Sequence, residues 1–327
     1  MDVALRILLI THPDLATGQN RSESRFVSAL VGLEDVVTVY WEDLPQPSVS
    51  AACSVSGNSP TDFEVCVFFV RFRFLQAISA VDWSGFGGAR ILLEHDAWMN
   101  YSPGHPQWHG AFPAVYKRDR FDAMFSTGRR TTELLRHDGV NAVWLPKGYS
   151  DDVFTDLESP RSGVCTFGTR WPSRRALIAH LRRRGINITD VSGPFESLND
   201  RLNAHAVGVV CNMPGIVPFG RIGRAVNRVV PAYVRSAPAV EPMIKTFETA
   251  ASGCAPLIDH LDELEDLGFV SGTTCLTYRT FDEAAAILSS TEPSTFKIIG
   301  AAAAALARTR HTWTHRALEF RDLLSAM

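Results

Sequence analysis

The chain has 327 residues, of which 46% are hydrophobic, and its formal net charge is −3 at pH 7. This length is sufficient for two domains with full hydrophobic cores, and the charge excludes a protein that binds nucleic acid mainly through an overall basic field. Six cysteines occur without a CxxC pair, which favours a reducing compartment and predicts a cytoplasmic protein.

The first half alternates apolar runs with stretches of helical periodicity. Residues 22–33 and 130–137 have helical spacing, and Gly139 ends the second of these helices. The opening run, MDVALRILLITHPD, is too short for a signal peptide or a membrane span, so it is predicted to contain the first strand. The predicted strands are residues 5–10, 36–40, 65–70, 90–93, 123–126 and 142–145. This alternation predicts a parallel sheet with helices on its faces.

The polar segment 146–163 is rich in turn-forming residues and is predicted to be a linker. After it the α/β pattern restarts, and helices follow from residue 281 to the end. The predicted elements are strands at 164–169, 186–191, 207–211, 254–258 and 274–278, and a helix at 173–183. We therefore predict an α/β protein of two facing Rossmann-like domains with a cleft between them. Ligands of open parallel sheets bind at the carboxyl ends of the strands, so the loops after strands are the candidate sites.

The segment MIKTFETAASGCAPLI, residues 243–258, predicts a short helix followed by a buried strand. Thr246 is the expected N-cap, Glu248 lies in the first turn, and Gly253 ends the helix in a left-handed conformation. A helix N-terminus carries free N–H groups and a partial positive charge, to which Lys245 adds a full charge, so an anion such as phosphate is the expected ligand. The alternative is a capped helix packed on a sheet, with Lys245 and Glu248 in solvent.

Three further loops after predicted strands carry candidate residues. In FGTRWPSRR, Arg170 and Arg174 lie beside a glycine, and guanidinium groups suit a diphosphate because they stay charged and bind two oxygens at once. In ILLEHDAWMNY, His95 and Asp96 follow a strand and are suited to orient or deprotonate an acceptor hydroxyl. In HPDLATGQNR, Gly18 would let the backbone approach a phosphate. Solvated arginines and a surface turn at His95 are the alternatives.

The chain resembles glycosyltransferases of the GT-B architecture, within the group 1 family and its CgeB-like (spore maturation protein-like) branch. The resemblance is carried by FDAMFSTGRRTTELLRHDGVNAVWLPKGYSDDVF, VCTFGTRWPSRRALIAHLRRRGINI, MIKTFETAASGCAPLI and TYRTFDEAA, in this order. It implies transfer of a sugar, with retention, from a nucleoside diphosphate sugar to a small-molecule or glycan acceptor. It also implies an acceptor domain at 1–149, a donor domain at 150–310, and a C-terminal helix at 311–327 that crosses back to the first domain.

The resemblance also assigns roles to single residues. It implies a diphosphate clamp and a glutamate, Glu248, that accepts hydrogen bonds from the ribose hydroxyls, and it places His95 towards the sugar. The clamp comprises Arg170, Arg174, Lys245 and Thr246. One departure is that six residues separate Glu241 from Glu248, whereas retaining relatives often have seven between two glutamates.

We expect neither a cofactor nor a metal, because basic side chains and helix dipoles neutralise the leaving diphosphate in such enzymes. His105 with His109, and His311 with His315, lack a third ligand and are expected to be solvated or capping residues. No transmembrane segment is expected, and peripheral membrane contact stays open. The alternative function is a catalytically silent GT-B module that binds a nucleotide or glycan within an assembly.

Overall fold

The structure, a computed structural model, describes residues 5–12, 21–33, 35–44, 47–70, 72–77, 80–102, 105–169, 172–212 and 241–327. The chain forms two compact units. The first contains Met1–Tyr101, His105–Lys147 and Trp313–Met327, and the second contains Ser102–Gly104 and Gly148–Thr312. Apart from the short segment Ser102–Gly104, the chain passes from the first unit to the second after residue 147 and back after residue 312.

The first unit is built on a six-stranded sheet in which all neighbouring strands are parallel, and the strand order is β2-β1-β3-β4-β5-β6. Every residue of β1 and β3 is buried, as expected for strands whose two faces are both covered by helices. All six strands that the sequence predicts are confirmed. They are β1 (Ile7–Thr11), β2 (Val36–Tyr40), β3 (Val65–Phe69), β4 (Ala89–Glu94), β5 (Ala123–Ser126) and β6 (Ala142–Trp144).

Among the described residues of the first half of the chain, five α-helices accompany this sheet: α1 (Arg21–Val31), α2 (Val49–Ser56), α3 (Phe72–Ala77), α4 (Ala111–Arg118) and α5 (Arg129–His137). The sequence predicts α1 and α5, which have a clear helical period. It does not predict α2, α3 and α4, which are only six to eight residues long. One core of this unit packs apolar residues of the sheet, including Leu8, Phe68 and Met124, against these short helices.

The second unit is built on a five-stranded parallel sheet in the order β11-β10-β9-β7-β8. Its strands are β7 (Val164–Phe167), β8 (Ile188–Val191), β9 (Val207–Val210), β10 (Ala255–Asp259) and β11 (Leu276–Tyr278). Its helices include α6 (Pro172–Arg183), α7 (Leu198–Asn203), α8 (Ile244–Ala251), α9 (Phe281–Ser290) and α10 (Pro293–Arg310). The doubly wound order puts the loops after β7, β9 and β10 at one edge of the sheet.

The C-terminal helix, α11 (Trp313–Ser325), belongs to the first unit, where it packs on α1. Phe320 on this helix is fully buried, and its ring lies edge-on to Phe125 at a centroid distance of 4.7 Å. Arg316 donates from Nε to the carbonyl oxygen of Lys147 over 3.1 Å. The apolar stripe of the last helix therefore completes the core of the unit that contains the N-terminal sheet.

Candidate functional site

The N-terminus of α8 lies at the carboxyl edge of the second sheet. The helix begins at Ile244, and Met243 is its N-cap without a side-chain hydrogen bond. The prediction that Thr246 is the N-cap is wrong: Thr246 lies inside the helix, where its side chain packs in the interior and donates to Asn212. Gly253, just beyond the helix, has a φ of 73°, which confirms the predicted left-handed end.

The Lys245 side chain crosses the loop that follows β7. Gly168 in this loop has a φ of 89°, and a Cβ atom there would lie 2.4 Å from Cε of Lys245. A larger residue would push the lysine side chain away, and the positive φ also favours glycine at this position. This contact joins the FGT loop to the MIKTFE motif, two segments that the sequence predicts to act together.

The Lys245 ammonium has no hydrogen bond or ion pair in the part of the chain that the structure describes. Burial lowers the pKa of Lys245, and the positive charge of Arg174 lowers it further; Cys211, Glu248 and Asp259 act in the opposite direction. The backbone N–H groups of Ile244 and Lys245 also have no acceptor among the described residues. A cation and two N–H donors are therefore available to an anion at this helix end.

The Glu248 carboxyl is buried, with 5% of the residue exposed, and makes no hydrogen bond within the described residues. Burial raises the pKa of Glu248 to about 8, and nearby Lys245 only partly opposes this effect. Such a group is costly to bury alone, because its hydrogen-bonding capacity is lost when it leaves water. A ligand that hydrogen-bonds to the carboxyl would remove that cost.

Arg174 has protein partners that the sequence did not predict. Its guanidinium donates to Thr166 Oγ1 over 3.1 Å and to Asp190 Oδ1 over 2.5 Å, and it also donates to the carbonyl oxygen of Gly168. Arg174 is 1% exposed. The guanidinium thus holds the loop after β7 in shape, and this differs from the predicted direct contact with a diphosphate. Arg170, the other predicted arginine, lies outside the described residues.

His95 and Asp96 follow β4 in the first unit, as predicted, but His95 is an interior residue. Its ring stacks on Trp313 at a centroid distance of 5.7 Å and lies 4.8 Å from the ring of Phe69. Burial lowers the pKa of His95 to about 3, and the charge of Lys147 adds to the effect, so the imidazole is neutral near pH 7. The surface-turn alternative for His95 is therefore wrong.

Asp96 is only partly buried. Its Oδ1 accepts a hydrogen bond from Trp98 Nε1 over 3.1 Å, and its backbone N–H donates to Glu94 Oε1 over 2.9 Å. These contacts fix the carboxylate at the end of β4 and leave it more accessible than the His95 ring. Gly18, predicted after β1, lies outside the described residues.

The sequence interpretation missed Asn212 and Asp259, each 1% exposed at the edge where α8 begins. Asn212 comes two residues after β9, and Asp259 is the last residue of β10. Their position at strand ends was the available signal, since polar residues there are candidates in parallel sheets. Both were overlooked because a single polar residue after an apolar run also resembles the start of a turn.

Within the described residues, no group of three or more His, Cys, Asp or Glu side chains is placed to hold a metal ion. In the same part of the chain, no helix has the length and apolar character needed to cross a bilayer.

Solved structures similar to this chain share its two-unit α/β fold. Sucrose-phosphate synthase from Thermosynechococcus elongatus has a TM-score of 0.62 and 14% identity over 98% of this chain and 99% of that chain. HepE from Anabaena, in complex with UDP-glucose, has a TM-score of 0.58 and 11% identity over 99% of this chain and 100% of that chain. AviGT4, a glycosyltransferase involved in avilamycin A biosynthesis, has a TM-score of 0.53 and 13% identity over 98% of both chains. The fold is therefore GT-B, with two Rossmann-like domains.

Residues 167–322 match the family model described as glycosyl transferase-like. No curated protein matches the sequence. The matched region includes the loop after β7, Asn212, the whole of α8 and most of α11. The predicted fold and the general resemblance to glycosyltransferases are confirmed; the CgeB-like branch stays a prediction.

Proposed function

We propose that this protein is a glycosyltransferase that moves a sugar from a nucleoside diphosphate sugar to an acceptor hydroxyl, with retention of anomeric configuration. The observation that carries the proposal is the pair Lys245 and Glu248 on α8. Both side chains lack a protein partner among the described residues, and both lie at a helix N-terminus on the carboxyl edge of a parallel sheet. The match of residues 167–322 to a glycosyl transferase-like family supports the same reaction.

In this proposal the diphosphate binds to the Lys245 ammonium and to the N–H groups of the first turn of α8. Glu248 lies one turn further along the helix and accepts hydrogen bonds from the ribose hydroxyls. Arg174 holds the loop after β7 beside Lys245, and Arg170 in that loop is proposed as a further phosphate contact. The positive end of the helix and the lysine together stabilise the diphosphate as it leaves.

The acceptor is proposed to bind the first unit at the end of β4. Asp96 is the better candidate for a group that accepts the acceptor's proton, because its carboxylate is partly exposed. His95 is proposed to shape this edge as a neutral ring packed between Phe69 and Trp313. We propose a cytoplasmic enzyme whose donor reaction needs no metal.

Donor binding is tested by calorimetry with UDP-, GDP-, ADP- and dTDP-sugars, beginning with UDP-glucose because it is bound in the similar HepE structure. Lys245→Ala is expected to weaken binding of the preferred nucleotide by about 10- to 100-fold, the effect of losing one charge-assisted hydrogen bond. Lys297→Ala removes an exposed lysine from α10 and is the matched control. Equal affinity of wild type and Lys245→Ala would contradict the proposed site.

Turnover separates the enzyme from the catalytically silent alternative. The wild type is incubated with the preferred nucleotide sugar and candidate acceptors, and release of the nucleoside diphosphate is measured. Slow release without acceptor, with water in its place, would already indicate catalysis. Binding without any release across the acceptor panel would favour the silent module, and proton NMR of the first sugar product would decide between retention and inversion.

A further inference from the structure

A chain of buried hydrogen bonds joins the ends of two strands to the start of α8. The Asp259 carboxylate accepts from the backbone N–H of Asn212 over 2.9 and 3.0 Å, and from the Asn212 side-chain amide over 2.9 Å. The Asn212 side-chain oxygen accepts from the backbone N–H of Met243 over 2.9 Å and from the Thr246 hydroxyl over 3.3 Å. Asn212, Thr246 and Asp259 are each at most 1% exposed.

Asn212 supplies what the helix sequence lacks. The N-cap residue of α8 is Met243, whose side chain makes no capping hydrogen bond. An uncapped helix start leaves backbone N–H groups without acceptors and frays readily. Asn212, from the loop after β9, accepts from the N–H of the N-cap residue Met243 and from the Thr246 hydroxyl, and it leaves the N–H groups of Ile244 and Lys245 for a ligand.

Asp259 fixes the orientation of the Asn212 amide. An asparagine side chain can rotate by half a turn, which would present its NH₂ group to Met243 and Thr246 instead of its oxygen. Because the NH₂ group donates to Asp259, the oxygen must face the helix. The negative charge of Asp259 also raises the pKa of Lys245 and so favours the ammonium form.

We infer that Asn212 and Asp259 are positioning residues for the donor site: they set the register of the first turn of α8 and thereby the positions of Lys245 and Glu248. This role rests on the proposed function, because it presupposes that α8 binds the donor. Neither residue needs to contact the donor itself. The positions of two ligand-binding side chains on one helix depend on where that helix begins, and a displacement of about 1 Å is enough to impair such a site.

The test uses the full chain and calorimetry with UDP, GDP, ADP and dTDP, which gives both the dissociation constant and the stoichiometry. Asn212→Ala and Asp259→Ala are each expected to weaken binding of the preferred diphosphate by about tenfold, the effect expected of a lost buried hydrogen bond. Asn203→Ala is the matched control. Asn203 is also 1% exposed and hydrogen-bonded on both sides of its amide, but its partners lie in the linker and α7.

A double exchange, Asn212→Asp with Asp259→Asn, provides the conservative rescue. The new carboxylate at 212 accepts from Met243 and Thr246, while the new amide at 259 donates to that carboxylate and accepts from the backbone N–H of 212. The side-chain hydrogen bond between 212 and 259, the bonds from Met243 and Thr246 and the net charge are thus kept, while the backbone N–H of 212 keeps one of its two contacts with residue 259. Binding is expected to recover to within about threefold of wild type; the remaining deficit reflects the negative charge, which has moved nearer to the phosphate.

Positioning and a merely structural role give different results. A structural role lowers the fraction of binding-competent molecules, hence the stoichiometry, and leaves the dissociation constant of the folded molecules unchanged. Unchanged dissociation constants in Asn212→Ala and Asp259→Ala would therefore overturn the inference, as would failure of the double exchange to restore binding. If both alanine variants unfold, Thr246→Val, which replaces the Thr246 hydroxyl with a methyl group, must weaken binding by about threefold or the inference fails. Wild type that binds none of the diphosphates would remove the proposed function together with this role.

Discussion

The substitution Glu248→Gln is expected to stabilise the second unit while it impairs the proposed donor site. The glutamine keeps the shape of the side chain and removes the ionisable group. In the folded protein the pKa of Glu248 is raised to about 8 from its ordinary value of 4.5, because the carboxyl is buried. Between pH 4.5 and about 8, Glu248 therefore keeps its proton in the folded state and has lost it in the unfolded state.

The sign of the pH dependence follows directly. Between pH 4.5 and about 8 the folded state binds more protons than the unfolded state, so the free energy of unfolding falls as the pH rises. At about 1.4 kcal/mol for each pH unit, this interval corresponds to a loss of at most about 5 kcal/mol. Glu248→Gln lacks the dependence. Its stability relative to wild type should increase steadily from pH 4.5 and level off above pH 8.

The assay is urea unfolding at intervals from pH 5 to 8.5, supported by hydrogen exchange of amides in β9 and β10. The exchange measurement is needed because a two-domain chain need not unfold in one step. Glu265→Gln, which changes an exposed carboxyl of the same unit, is the control. A stability difference between Glu248→Gln and wild type that stays constant across this pH range would refute the reasoning. The same variant should bind the preferred nucleotide about tenfold more weakly, since an amide oxygen is a weaker acceptor than a carboxylate.

Four further outcomes are expected. His95→Phe should lose part of the acid sensitivity of the wild type. Because the pKa of His95 is lowered to about 3 in the folded state, wild-type stability falls as the pH drops from 6.5 towards 3. Urea titrations of both proteins at pH 4 and 7 measure the difference. Asp96→Asn should lower turnover by about 100-fold with nucleotide affinity unchanged, and a parallel loss of affinity would argue against an acceptor-side role. Removal of metal ions with EDTA should leave nucleotide-dependent turnover unchanged. Truncation after Thr309 deletes Trp313 and Phe320 from the core of the first unit. It should lower the free energy of unfolding of that unit by more than about 5 kcal/mol, or unfold it. Near-UV circular dichroism and urea unfolding measure the loss.

The regular elements were predictable because their signals are local. Strands such as Val65–Phe69 are continuous apolar runs bounded by polar residues, and Gly253 marks the end of α8. The helix start was predicted less well. Thr246 is a favourable N-cap residue by type, but the acceptor for the N–H of the actual N-cap residue, Met243, is Asn212 from the loop after β9. Local propensity cannot identify a partner that the fold brings in from elsewhere in the chain.

The same reason explains why two candidate site residues have environments that the sequence did not indicate. The sequence predicts that Arg174 binds the diphosphate, with a solvated arginine as the alternative, yet Asp190 on β8 and the carbonyl oxygen of Gly168 bind its guanidinium. The sequence predicts that His95 faces the sugar, with a surface turn as the alternative, yet Trp313 from the last helix stacks on its ring. In both cases, the decisive neighbour comes from a different element, so the residue type and its place after a strand were insufficient to define its role.

Burial lowers the pKa of Lys245 and raises the pKa of Glu248, so it favours the neutral form of each side chain. Arg174 adds a second positive charge close to Lys245, although its own partner Asp190 partly balances that charge. A site of this kind is unfavourable for the protein alone, since natural interiors normally pair such groups. A ligand with negative charge at one end and hydroxyl groups near the other would pair both at once. A nucleoside diphosphate has this arrangement, so the feature that lowers the stability of the second unit is also the one that would give it affinity for the proposed donor.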